Sequence, residues 1–579
     1  MRTESSLPTI LVRQADKTVS QLADELDVPE YLARILSNRG IRSKDHLKLD
    51  IQDILPPEPM LNIDKAAQRI VQAVLDQQTI LIAADFDTDG ATSAALCVSF
   101  LHAVGAKNVL YRVPDRQRMG YGLSTAFVES FLAQHPDLII TVDNGITSVD
   151  GVVLANQHGV EVIVTDHHLA PEVLPDAFAI VNPNMAGNSF ASKPAGVGVA
   201  FYVMSVVRRI LRGLNYFEER QITYPNLAHW LDLVAIGTIA DMVPMDQNNR
   251  RLVQRGMDRI QKGLARPGVQ ALLNLNDLPN ALYQAEDIAF KIAPKINAAG
   301  RLGDMSTGIQ TLLSEDLATA SRLAKSLNEI NVSRRQKQSD MNVVAGRLVN
   351  GEELDDKCSI CIHNSTFHEG LVGLIASRLV ENFHRPSIAF ADSADSDSDE
   401  LKGSARSIEG VNIRDILAEI DAQYPHLITR FGGHAMAAGL TLRAANLNRF
   451  QTLFEKSIQS HTDQQSFIFK LWSDGQLEAK DMTLDTVSLL DRYGPWGSEF
   501  PPPTFHDEFQ VVSQTKHKNR VLRLQLLKDG LLFNGVAFSQ DPVEEDTFLC
   551  TYKLQRNFLK DRESLQLIIE EIAGSVSHY

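Results

Sequence analysis

Three short apolar runs in the first third of the chain each end in an aspartate. Ile80–Ala84 runs into Asp85-Phe-Asp87-Thr-Asp89-Gly90, Leu138–Val142 into Asp143, and Val160–Thr165 into Asp166-His167-His168. Short runs rich in Ile, Val and Leu, separated by helix-length segments, read as strands of a parallel sheet buried on both faces. In open α/β sheets, ligands bind beyond the carboxyl ends of the strands. Here those ends carry carboxylates and imidazoles, the donor set of a hard divalent cation.

Asp85, Asp87 and Asp89 alternate with Phe86 and Thr88, so an extended chain projects all three carboxylates to one side. Buried together without a cation they repel. A calcium loop is the first rival, but its twelfth position is Leu96 where a bidentate Glu is needed, and a strand precedes it. Capping by Asp89 or Thr92 of a helix through Ala91–Leu101 accounts for one acid, not three. Asp143-Asn144-Gly145 alone reads as a turn. His167 and His168 are adjacent and cannot both face one metal from regular structure. One imidazole takes the metal, and the other orients a ligand or contacts substrate phosphate. Asp241, in Ile236-Gly-Thr-Ile-Ala-Asp-Met-Val-Pro244, is the fourth contributor. Several Asp, one or two His and no Cys fit Mg²⁺ or Mn²⁺ better than a thiolate-seeking metal.

At 579 residues and 44% hydrophobic, the chain can bury several cores. Residues 1–60 read as a mostly helical extension, 61–313 as the α/β domain of the acidic strand ends, and 314–348 as a connecting helix of roughly 50 Å. Residues 349–462 read as a second α/β domain. Within 463–579, Thr504–Ser513, Val521–Leu527, Leu531–Phe538, Thr547–Leu554 and Leu565–Ile572 read as five strands of a small OB-type barrel. A net charge of −16 argues against coating nucleic acid by bulk charge, yet Lys516, His517, Lys518, Arg520 and Arg523 make the barrel locally basic, as a nucleic-acid surface requires. The acidic run Asp392–Glu400 reads as a solvated loop. No apolar stretch spans a bilayer, the start lacks an apolar signal core, and four scattered cysteines fit a reducing compartment, so a cytoplasmic location is expected. Cys358-Ser-Ile-Cys361 lies in a strand-like run and reads as packing rather than redox or zinc chemistry.

Asp85-Phe-Asp-Thr-Asp-Gly-Ala-Thr-Ser, Val142-Asp-Asn-Gly, Asp166-His-His and Thr238-Ile-Ala-Asp-Met-Val-Pro resemble, in order, the motifs of the DHH phosphoesterases. Ala293-Pro-Lys-Ile-Asn-Ala-Ala-Gly-Arg-Leu-Gly303, His368-Glu-Gly-Leu-Val-Gly, Gly403-Ser-Ala-Arg-Ser407, Gly432-Gly-His-Ala-Met-Ala-Ala-Gly439 and Gly494-Pro-Trp-Gly497 are similar to the single-strand-specific 5′→3′ exonuclease branch of that superfamily. Lys295, where Arg is usual, and Phe500-Pro501-Pro502 are mild departures. The resemblance implies a DHH domain, a connecting helix, a DHHA1 domain and an OB-fold.

It also implies a two-metal Mg²⁺ or Mn²⁺ site and hydrolysis of single-stranded DNA from its 5′ end, in recombination and repair. The implied catalytic set is Asp85, Asp87, Asp89, Asp143, Asp166, His167, His168 and Asp241. All but Asp166 and His168 are the implied metal ligands, with the choice between the two imidazoles open. By similarity, Ser404 and Arg406, with Arg116 and Tyr121, bind the 5′ terminus. Asn297, Arg301 and Arg378 are candidates for other phosphates, and Gly432-Gly433-His434 reads as a glycine-rich turn opening a helix that holds one. Lys516, Lys518 and Arg520 would line the strand path. Single-strand-binding protein and a helicase are the implied partners. The rivals are a small-substrate phosphodiesterase or pyrophosphatase and a non-catalytic replication scaffold.

Overall fold

The computed structural model describes residues 8–14, 19–116, 118–276, 278–350, 357–394, 399–517, 521–538, 540–559 and 562–578. Lys518 and Arg520, and residues 395–398 of the acidic run, lie outside them. The chain divides into two compact units. One is Val12–Asn331 with Ser473–Glu570; the other is Met1–Leu11, Val332–Trp472 and Glu571–His578.

The first unit is built on a parallel five-stranded sheet in the order Val109–Arg112, Ile80–Ala84, Leu138–Val142, Glu161–Thr165, Ala179–Val181. Strands Ile80–Ala84 and Leu138–Val142 are buried at every position. One face packs Leu81, Ala83, Ile139, Val162 and Val164 onto Phe127, Phe131 and Val152. The chain runs outward from Ile80–Ala84 to one edge and then back past it to Leu138–Val142. That reversal opens a crevice between the two strands' carboxyl ends.

The same unit holds a closed barrel, Phe505–His517, Val521–Lys528, Leu531–Phe538, Arg562–Ile572 and Thr547–Leu559 in spatial order. Leu531–Phe538 and Arg562–Ile572 pair in parallel, whereas Phe505–His517 pairs antiparallel with both Val521–Lys528 and Thr547–Leu559, and Val521–Lys528 antiparallel with Leu531–Phe538. This is the expected OB-type barrel. Lys516 is committed to an ion pair with Asp541 at 2.6 Å, while Arg523 is exposed.

The described part of the N-terminal segment is mostly helical, as expected, with a strand Thr9–Val12 ahead of the helices Val19–Leu26 and Glu30–Ser37. Within the first unit it is tied down by Arg39, which grips the buried Asp474 with two hydrogen bonds of 2.9 Å. Burial opposes the Asp474 charge, but Arg39 and Arg13 outweigh it and hold the carboxyl below its usual range.

The connecting helix runs over Leu317–Asn350, and the boundary between the units falls within it. The second unit carries a mixed sheet in the order Arg430–Gly433, Ala437–Arg443, Glu400–Arg406, Ser387–Asp392, Ile360–His363. Helices Ile413–Gln423 and Leu447–His461 bury Leu417, Ile420, Phe450 and Phe454 against it. Among the described residues, no helix is long and apolar enough to cross a membrane.

Candidate metal centre

Each acidic strand end is registered by one further ladder bond. Asp85 N–H donates to Val142 O (3.3 Å), Asp143 N–H to Thr165 O (3.0 Å) and Asp166 N–H to Val181 O (3.1 Å). The three aspartates therefore stand side by side along the carboxyl edge, one strand spacing apart. Asp143 takes φ +63°, a left-handed conformation that Asp tolerates better than most residues, and so turns the chain at once into Asn144-Gly145. Asn144 Nδ2 secures the turn by donating to Ala83 O and Val142 O.

The carboxylates after Ile80–Ala84 do not share one side of an extended chain, as the alternation implied. The strand stops at Ala84 and the helix Thr88–Ala103 starts almost immediately. Asp87 is its N-cap, accepting from Gly90 N–H at 3.0 Å, and Asp89 lies in its first turn. The turn is so tight that a Cβ at Gly90 would sit 2.5 Å from Asp85 O. Asp85 and Asp87 thus group with Asp143, whereas Asp89 groups with His167 and Asp241, the last residue of the helix Leu231–Asp241.

His167 Nε2 lies 3.1 Å from Asp143 Oδ1, 3.4 Å from Asp241 Oδ2 and 3.9 Å from Asp89 Oδ2. Yet His167 Nε2, Asp143 Oδ1 and Asp85 Oδ1 are buried and make no hydrogen bond. Buried polar atoms left this way are costly, and atoms that converge without bonding one another are arranged for a shared cation. The donor chemistry, oxygen with one imidazole nitrogen, fits Mg²⁺ or Mn²⁺.

The electrostatics agree. Burial and neighbouring carboxylates push the carboxyls of Asp85 and Asp143 far above their usual range, Asp89 to about 7 and Asp241 to about 9. These groups hold protons where a cation would replace them. Two backbone N–H groups, of Gly196 at 2.6 Å and Val197 at 2.9 Å, offset part of the burial at Asp89 from the start of the helix Gly196–Gly213.

The two imidazoles are distinct. Burial, with the His168 charge, drives His167 down to about 4, so it is neutral and its Nε2 lone pair is available. For His168, burial is outweighed by the hydrogen bond to Asp166, Nδ1 to Oδ1 at 2.7 Å, and the ring rises to about 9. Asp166 also accepts from the N–H groups of Ile146, His167 and His168. Its oxygens are fully engaged in holding the histidine turn, and it belongs to none of the converging groups. Asn182 and Asn184, which the sequence reading passed over, pin the same turn by donating to His168 O and His167 O. The motif Asn182-Pro-Asn184 at a strand end was the available signal.

The remaining expected residues fall in different places. Tyr121 OH lies 3.3–3.4 Å from the His168 ring and donates to Asp143 O, and Arg116 stacks 4.7 Å over Phe86. Asn297 accepts from Thr88 N–H and Thr88 Oγ1, both at 2.8 Å, so its carbonyl oxygen is spent on bracing the metal loop. Arg301 closes the helix Ala293–Leu302. These four belong to the first unit. In the second unit, Arg406 donates to Ser404 Oγ at 3.0 Å on one strand face, and Arg378 pairs with Glu381 at 3.0 Å. Gly433 and His434 do not open a helix. They lie in a hairpin in which His434 N–H donates to Ala437 O, which removes that amide from phosphate binding.

Three family models match the chain: the DHH family N-terminal domain over residues 79–238, the DHHA1 domain over 357–460, and the RecJ OB domain over 473–571. The single-stranded-DNA-specific exonuclease RecJ of Dickeya dadantii is 41% identical, covering 97% of this chain and 98% of its own length. The Escherichia coli protein of that name is 40% identical over the same shares. The crystal structure of RecJ from Thermus thermophilus in complex with Mn²⁺ superposes with a TM-score of 0.80 at 26% identity, covering 97% of this chain and 78% of that one.

Proposed function

This chain belongs to the RecJ family, and from that membership we propose a metal-dependent exonuclease that degrades single-stranded DNA from its 5′ end to mononucleotides. The observation that carries the reading is that the Asp85, Asp143 and His167 donor atoms are buried and unpartnered, in two adjoining groups of converging ligand atoms that share Asp143 beyond the sheet. Asp85, Asp87, Asp89, Asp143, Asp241 and His167 hold Mg²⁺ or Mn²⁺. Bound there, the metal supplies Lewis acidity at the scissile phosphate and a water of lowered pKa.

The chain's own groups do the rest. Asp166 fixes the histidine turn, so that His167 presents Nε2 inward while protonated His168 faces the phosphate and offsets charge developing on its oxygens. Tyr121 and Arg116 flank the same rim. Ser404 and Arg406 hold the 5′-terminal phosphate through a charge-assisted contact of fixed geometry. Arg301 and Arg378 contact further phosphates, and Asn297 acts by holding Thr88. The barrel supports a strand path that a small substrate does not need, which favours this reading over a small-substrate phosphodiesterase. No disulfide joins Cys97, Cys358, Cys361 or Cys550, and a cytoplasmic setting is part of this proposal.

The test uses 3′-labelled single strands and duplexes, with and without a 5′ phosphate, in Mg²⁺, Mn²⁺ and EDTA. The expected result is metal-dependent shortening of single strands from the 5′ end, with duplex spared. Release of the 3′ nucleotide first, or full cleavage in EDTA, refutes it.

A further inference from the structure

Arg250 is 2% exposed, on the first turn of the helix Gln247–Gln261. Its guanidinium lies 4.0 Å over the Phe500 ring and Nη2 donates to Tyr493 O at 3.1 Å. Nε donates to nothing, and no carboxylate among the described residues pairs with it. Burial alone pulls its pKa down to about 10. Arg39, nearby, is the contrast: it spends its donors on Asp474, Ile35 O and Pro501 O. A buried guanidinium without a counter-charge is costly, and nothing in the metal centre uses this one.

Arg250 lines a cavity of about 300 Å³, with Ile41, Met245 and Phe500 as an apolar wall and His46 at its side. His46 Nδ1 accepts from Arg42 N–H at 3.2 Å, so the neutral ring carries its hydrogen on Nε2 as a donor. Two acids also line the cavity. Asp246 is turned away, accepting from Ser192 Oγ, Lys193 N–H and Asn249 N–H. Glu499 is exposed.

We propose that this cavity is a second phosphate-binding pocket, sharing no residue with the metal centre. Arg250 and His46 take the phosphate, and the Ile41, Met245 and Phe500 wall takes the apolar face of the attached nucleoside. The guanidinium fork suits a phosphate better than a point cation would, and the volume is of the order of a small-ligand site. The phosphate has two sources, a free nucleoside monophosphate or a phosphodiester of a bound strand.

The test is isothermal titration calorimetry on the full chain in EDTA, in an Arg406→Ala background. The probes are inorganic phosphate, deoxyadenosine monophosphate and an oligothymidylate without a 5′ phosphate. His46→Ala, an exposed and structurally mild change, weakens binding by about fivefold, and Arg250→Gln by about tenfold or more. Glu499→Gln strengthens it. Weakening confined to the mononucleotide assigns the pocket to free nucleotide, and weakening confined to the oligonucleotide assigns it to the strand. If no probe binds, or if His46→Ala and Glu499→Gln leave every affinity unchanged, the pocket is not a phosphate site, even should Arg250→Gln fail to fold.

Discussion

Removing metal makes the protein's stability fall with rising pH between 7 and 9. In the metal-free fold Asp241 keeps its proton to about 9, and His168 to about 9, against ordinary values of 3.8 and 6.5. The unfolded chain has released both protons across this window. Unfolding therefore releases protons, and stability declines as pH rises; Asp241 and His168 together contribute up to two protons' worth, about 2.7 kcal/mol per pH unit, and the raised carboxyls of Asp85 and Asp143 act in the same direction. His168 is one-third exposed, so its share is discounted for solvent screening. That leaves about 1.4 to 2.7 kcal/mol per unit, or roughly 3 to 5 kcal/mol over the window.

His167, lowered to about 4, works the other way, but only below its ordinary 6.5, where the unfolded chain takes up a proton that the fold refuses. The assay is urea denaturation of EDTA-treated protein at pH 7, 8 and 9, followed by circular dichroism. Asp241→Asn removes one of the retained protons, so it should lessen the slope and raise metal-free stability at pH 9. Saturating Mg²⁺ should flatten it too, because the cation takes the place of the Asp241 proton. Metal-free stability that is constant or rises from pH 7 to 9 would refute the protonated-cluster argument.

Asp143→Asn keeps the tolerated left-handed turn but removes a buried charge and a ligand. Turnover of single strands should fall by several kcal/mol of barrier, about a thousandfold or more, with the circular dichroism spectrum unchanged. Near-normal turnover refutes the ligand assignment. Asp166→Asn should lower the His168 pKa, read by NMR titration, and weaken Mn²⁺ affinity by about 10- to 100-fold, since the support of the ligating turn is lost. Arg406→Ala should erode the preference for a 5′-phosphorylated strand over its hydroxyl twin while Mn²⁺ affinity holds. An intact preference moves the terminal-phosphate grip elsewhere. Arg523→Ala should weaken long-strand binding and reduce its salt slope by about 0.7. Truncation near residue 465 is the poorer test of the barrel, because it removes Asp474 and leaves Arg39 buried without its partner.

The acidic strand ends were legible from sequence because a parallel strand buried on both faces has a strong local signature and its carboxyl end is where such sheets bind ligands. The barrel and the long helix were legible for similar reasons, as runs of alternating or helical periodicity uninterrupted by Pro. What sequence left open was decided by contacts between distant segments. The Asp-x-Asp-x-Asp run reads as one face of a strand, but the chain turns into a helix at Thr88. Asp89 therefore reaches His167 and Asp241 rather than Asp85. Two adjacent histidines are chemically equivalent in sequence; a single hydrogen bond donated by His168 to Asp166 keeps that ring charged, while the other stays a neutral ligand atom among carboxylates. Gly432-Gly433-His434 carries the composition of a helix-opening anion loop, yet pairing with Ala437 and Ala438 commits it to a hairpin. In each case local propensity allowed more than one conformation, and the partner supplied from elsewhere in the chain chose between them.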